Sequence, residues 1–158
     1  MVGYGRLTMV TDIITFLDSA VVGTYPNLGA MSTANIKYAA HEIRKVNSIL
    51  TKNRKLVLVG VGRGEAPALT IGAHQEFIQG IEVAVFVLGS KMETDDKLSI
   101  TLAEEVEDRI WNNLVLPTGK EVLQGLKRFD PYIGDQGSQV IHAVNMEFTY
   151  LKLGTLGV

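Results

Sequence analysis

The sequence has no cysteine at all, which removes disulfide frameworks, cysteine-rich zinc sites and thiol nucleophiles in one step. It also lacks a basic surplus. With a formal net charge of -2 and a pI near 5.9, nothing pulls the whole chain toward a phosphate backbone. No uninterrupted apolar run reaches the roughly 20 residues that a membrane-spanning helix needs. The stretch from Met9 to Val22 is apolar enough for a signal sequence, but Asp12 and Asp18 interrupt it and Arg6 is the only basic residue ahead of it. These absences predict a protein that folds in the cytosol with neither membrane nor sequence-specific nucleic-acid partners. What is present is 158 residues, 46% of them hydrophobic, the length of one ordinary domain with a core large enough to fold unaided.

Catalytic signatures are missing as well. Gly60-Val61-Gly62-Arg63-Gly64 follows a strand-like run, but its third glycine comes one residue early for a dinucleotide-binding turn and Pro67 stands where the helix should open. Gly119-Lys120 has Leu114 where a phosphate-binding loop needs glycine, and Glu121 follows the lysine. His41-Glu42 begins like a zinc-protease motif, yet Lys45 holds the second ligand position. His74 and His142 are distant in sequence and could pair only through the fold. No G-x-S-x-G elbow is present. The expectation is a protein that is not an enzyme and carries no cofactor.

Periodicity and punctuation predict the elements. Val10, Ile13, Ile14, Leu17 and Val21 set a first helix over about 8–21, and Gly23 to Gly29 a loop. Ile36, Ala39, Ala40, Ile43, Val46 and Leu50 set a second helix over about 34–53. Leu56 to Val59 read as a buried strand ended by Gly60, Gly62 and Gly64, and Gln75 to Ile78 lead into a second strand from Ile81 to Leu88. Gly89 to Ser99 reads as a surface loop. Thr101 with Glu104, and Thr118 with Glu121, have capping-box spacing and predict a third and a fourth helix, the latter running to Phe129. From Val140 to Tyr150 apolar and polar residues alternate, the pattern of a strand with one face in the core. The expected fold is α+β in a single domain, a mostly antiparallel sheet of about four strands packed with about four helices, the helical part at 8–53 and the sheet and remaining helices at 55–153.

Charge is segregated along the chain. Arg44, Lys45, Lys52, Arg54 and Lys55 form a basic stretch with no acid between them, whereas Glu93, Asp95, Asp96, Glu104, Glu105, Glu107 and Asp108 form a mainly acidic one. Such runs are either solvated faces or the two halves of a head-to-tail contact between copies. On the second reading Arg44, Lys45, Lys52, Arg54, Lys55, Glu104, Glu105, Glu107 and Asp108 are the candidate subunit interface. Arg63, Glu65, Glu93, Asp95 and Asp96 then sit on flexible segments, 62–72 and 90–97, that reach other partners.

This layout resembles the tail terminator, or tail completion, proteins of long-tailed viruses of bacteria and archaea. The resemblance rests on the N-terminal helical part, the strand Ile81-Glu82-Val83-Ala84-Val85-Phe86-Val87, the acidic helix from Ala103 to Trp111 and the closing strand His142 to Tyr150. It covers mainly residues 55 to 153. It implies a virion protein at the tail neck, a homo-oligomeric ring commonly of six subunits. Such a ring caps the tail tube, halts its polymerisation and joins it to the head connector, with DNA passing through the lumen. Other neck proteins, such as stoppers and connectors, and a small-molecule-binding regulatory domain are the alternatives.

Overall fold

The computed structural model describes residues 5–39, 54–65, 74–89, 92–136 and 139–155. The first element, α1 (Arg6–Asp18), buries Met9, Val10, Ile13 and Leu17. These positions form one stripe of a helix, and the stripe continues no further. Val21 and Val22 lie beyond the helix end and are exposed, so the helix closes earlier than the 8–21 pattern suggests. Thr11, Thr15 and Ser19 donate their hydroxyls to carbonyls three or four residues back, a local competition that accompanies the helix end.

A short 3₁₀ turn (Thr33–Asn35) leads into β1 (Ile36–Tyr38). The second helix expected from residue 34 is therefore corrected over 34–38, Ala39 is helical, and the remainder at 40–53 lies outside the described residues. Ile36, Lys37 and Tyr38 pair in parallel with Val57, Leu58 and Val59 of β2 (Lys55–Glu65). Ladder bonds and the burial of Ile36 outweigh a weak helical pattern there. β2 does not stop at its glycines but runs through them, because neighbouring backbone lies against them. A Cβ on Gly62 would come 3.1 Å from the Gly80 carbonyl, and one on Gly80 would come 2.9 Å from that of Arg63. Glycine here permits close strand approach beside the irregularity between Val61 and Gly64.

β3 (His74–Gly89) is one 16-residue strand that joins the two shorter ones expected, and it pairs antiparallel with β2 and, along its length, with β5 (Gln139–Thr155). Between β3 and the next strand lies α2 (Met92–Trp111). The expected loop at 89–99 is thus mostly helix, and Thr101 sits exposed inside it rather than at its start. Ser99, Leu102, Ala103, Val106 and Ile110 are buried at helical spacing, while Glu93 and Asp95 supply negative charge to the first turn. Burial of one stripe selects a helix that begins well before the capping-box signal.

The expected fourth helix is a strand, β4 (Glu121–Gln136), the antiparallel partner of β5. Leu123, Leu126 and Phe129 face Tyr150, Phe148 and Met146, with register shifts between Leu123 and Gly125 and between Leu126 and Arg128. Each shift adds one residue, so side chains on one face recur every three positions instead of every two. That spacing imitates a helix. The Thr118 hydroxyl does donate to the Glu121 carboxylate, but the pair closes a turn, because Glu121 is buried in an ion pair with its cross-strand partner Lys152.

The sheet is mixed, in the order β1-β2-β3-β5-β4, with β1 parallel to β2 and all other pairs antiparallel. The α+β class holds, with five strands and, among the described residues, two α-helices in place of about four of each. One sheet face carries Val57, Val59, Ile81, Val83, Val85, Val144, Met146, Phe148 and Tyr150 against the buried stripes of both helices. The even-numbered face of β5 is the core face, as its alternation predicts. α1 lies over β1 and β2, and α2 over β3 and β5. Leu56, Leu58, Leu88 and Ile141 form a smaller cluster on the reverse face.

Candidate subunit interface

The acidic helix has two chemically distinct sides. Glu105 is turned toward the segment after α1, where its carboxylate accepts the backbone N–H of Asn27 at 3.1 Å and of Leu28 at 3.1 Å. Asp108 accepts the Tyr25 hydroxyl at 3.0 Å, and Asn112 donates to both Tyr25 and Asp108. Arg109, on the same side, donates to the Phe16 carbonyl and to the Ser19 hydroxyl. Glu105 and Asp108 therefore clamp residues of their own chain, although the charge pattern presents them as interface acids.

At 100° per residue, Glu104, Glu107 and Trp111 share another stripe, turned away from α1. Because α1 covers β1 and β2 while α2 covers β3 and β5, this stripe looks out over the β4 flank. Neither Glu104 nor Glu107 has an ion pair or hydrogen bond from its carboxylate among the described residues, and Trp111 is 39% exposed. Of the remaining candidate acids, Glu93 pairs with Lys97 one turn on at 2.7 Å, Asp96 reaches the buried His142 at 3.4 Å, and the Asp95 carboxylate lies against the backbone of Gly89. All three stand on the first turns of α2, not on a loop.

Arg54 and Lys55 lie on the opposite flank, where β2 begins beside β1. Arg54 adopts a left-handed φ of 61°, and its guanidinium donates to the Leu88 carbonyl at 3.4 Å. Both line a pocket of about 330 Å³ with Asn35, Met31, Asp95 and Leu98. Arg44, Lys45 and Lys52 lie outside the described residues. Arg63 and Glu65 belong to the far end of β2 rather than a loop, and pair with each other at 3.5 Å, both well exposed.

The fold does not bring His74 and His142 together. His142 sits opposite Val87, whereas His74 is thirteen positions further along the same strand, roughly 40 Å away at strand rise. Among the described residues no group of three or more His, Asp or Glu side chains could hold a metal. His41 is outside them.

Sequence reasoning missed three features. The first is the buried amide of Asn35, which no motif marks. The second is a polar cluster beneath α1, in which Lys152 Nζ lies 2.9 Å from Glu121 with both side chains almost fully buried. Desolvation and then the Glu121 charge raise the Asp12 carboxyl above its usual range, and burial pushes the Tyr150 hydroxyl up. The strand register Glu121↔Lys152 was hidden behind the helical spacing of β4. The third is a groove of about 470 Å³ on the reverse face, floored by Leu58, Ala84, Phe86 and Ile141 and rimmed by Arg128 and Tyr132. Burial raises the Tyr132 hydroxyl, and a hydrogen bond with Asn145 opposes that rise. Neither a scan of protein-family models nor a search of curated proteins finds a match to this chain.

Proposed function

We propose that this chain is a non-catalytic virion protein that assembles head to tail into a ring at the neck end of a viral tail. There it caps the tube, ends its polymerisation and meets the head connector. The observation that supports this most is the separation of unlike charge, Arg54 and Lys55 where β2 begins beside β1, Glu104 and Glu107 on the side of α2 turned away from α1. A contact between unlike patches repeats from copy to copy, and a closing rotation makes a ring. A tube end exposes the surface that each added ring buries, so growth stops when something binds there without regenerating it. A ring of this protein offers that, since the two faces of its sheet differ: one carries the main core against α1 and α2, the other a smaller cluster with a groove.

Surface pairs of this kind are worth about 0.2–1 kcal/mol each, so assembly weakens with salt rather than failing after one substitution. Mass photometry and electron microscopy of the purified protein with tail tube should find rings, and an obligate monomer under all conditions would sink the reading. In an assembling virus, loss of the protein should give overlong or headless tails. The groove on the reverse face favours a second reading, a regulatory domain that binds a small molecule. A metabolite that raises the melting temperature of the wild type, but not of Phe86→Arg, would support that instead.

A further inference from the structure

We infer that the pocket between Asn35, Arg54, Lys55 and Asp95 is a receptor for a carboxylate, supplied by Glu104 or Glu107 of the next copy. The inference rests on the ring reading and names the contact within it. Its starting point is Asn35, only 8% exposed. The backbone N–H of Asn35 donates to the Ser32 carbonyl at 2.8 Å, but among the described residues its side-chain amide has no hydrogen bond, and Oδ1 is fully buried without a partner. An amide left so costs about 1–3 kcal/mol. Here it borders a cavity of about 330 Å³, space for a guest, and the amide can turn either its N–H₂ or its oxygen toward that guest.

The walls select the guest's charge. Among the described residues Arg54 gives one bond, to Leu88, which leaves most of its five donors for a guest, and the Lys55 ammonium has no ion pair there. The one acid in the wall, Asp95, is drawn against the Gly89 backbone and engaged with a partner of its own. Two cations match a carboxylate, and the Asn35 amide adds a donor once turned so that its N–H₂ takes the place of the unpaired Oδ1.

Among the acids of α2, elimination narrows the supplier to two. Glu105, Asp108, Glu93, Asp95 and Asp96 are each held within their own chain. Glu104 and Glu107 are the acids of α2 left uncommitted among the described residues. They cannot enter the pocket of their own molecule, because Glu104 lies nine residues beyond Asp95, about 13 Å along the helix, and faces the other flank.

The test uses rings assembled with tail tube and a zero-length carbodiimide cross-linker. Mass spectrometry should find Lys55 joined to Glu104 or Glu107 between subunits. The near-isosteric Asn35→Leu should leave monomer melting unchanged or raised, since it removes an unpaired buried amide, yet weaken ring assembly about tenfold, the scale of one charge-assisted hydrogen bond. Lys55→Glu should disrupt rings, and combining it with Glu104→Lys and Glu107→Lys should restore part of the assembly. Rings that form with full affinity in Asn35→Leu and give no Lys55 cross-link would overturn the pocket while leaving the ring intact. A wild type that never assembles would overturn the ring reading and the supplier with it. Glutarate titrated into that monomer, bound by wild type and not by Asn35→Leu, would then assign the pocket to free acids.

Discussion

The acids turned into this fold and the acids turned out of it differ in what they can do, although composition treats them alike. Glu121 and Glu105 are inward: one is buried beside Lys152 and the other accepts backbone N–H groups of Asn27 and Leu28. Glu104 and Glu107 are outward on the same helix as Glu105 and hold nothing among the described residues. An inward carboxylate contributes to the stability of one molecule, because its desolvation is offset by fixed donors. An outward one contributes chiefly to what the molecule meets.

The sharpest way to break that comparison is Lys152→Met, which leaves the Glu121 carboxylate buried without its cation. It should cost about 3–5 kcal/mol in urea unfolding, and adding Glu121→Leu should recover most of the loss. Glu105→Ala removes the acceptor for two backbone donors and should cost about 1.5–3 kcal/mol, with chemical-shift changes concentrated at Asn27 and Leu28. A loss no larger than that of Glu104→Ala would erase the distinction between the two sides.

Asp12 tests the same idea with opposite sign. Its carboxyl is raised above the ordinary 3.8 by desolvation and by Glu121, so ionising it costs the folded state more than the unfolded one. Below pH 3.8 both states hold the proton and no penalty exists; as pH rises past that value stability is lost. Asp12→Asn should therefore stabilise the protein at neutral pH, with the gain fading in acid, and a destabilised variant at pH 7 would contradict the assignment. The smallest effect belongs to Glu104→Gln and Glu107→Gln. Each should change monomer stability by less than about 0.5 kcal/mol in thermal unfolding, while salt-dependent assembly falls.

The charge runs were legible in the sequence, but the direction of each charge was not. Whether Glu105 or Glu104 meets a partner depends on which side of α2 faces Tyr25 and α1, and that follows from a contact spanning 78 residues between Glu105 and Asn27. Asn35 carried no signal, because a buried amide and an exposed one are the same letter. The histidine pair was a fair question for sequence and was answered only by the register of β3 against β5.

Local pattern by itself determined α1, the α+β class and the two faces of β5, since each rests on a period that one element imposes on its own side chains. Tertiary structure decided β1, the early start of α2 and the strand β4. In those places the local signal was ambiguous or misleading: three residues pair with a distant strand, a charged stretch hides a buried stripe, and two bulges give a strand the spacing of a helix. Capping pairs such as Thr118 and Glu121 satisfy hydrogen bonds in a turn as well as in a helix, so only the burial of Glu121 against Lys152 selects between them.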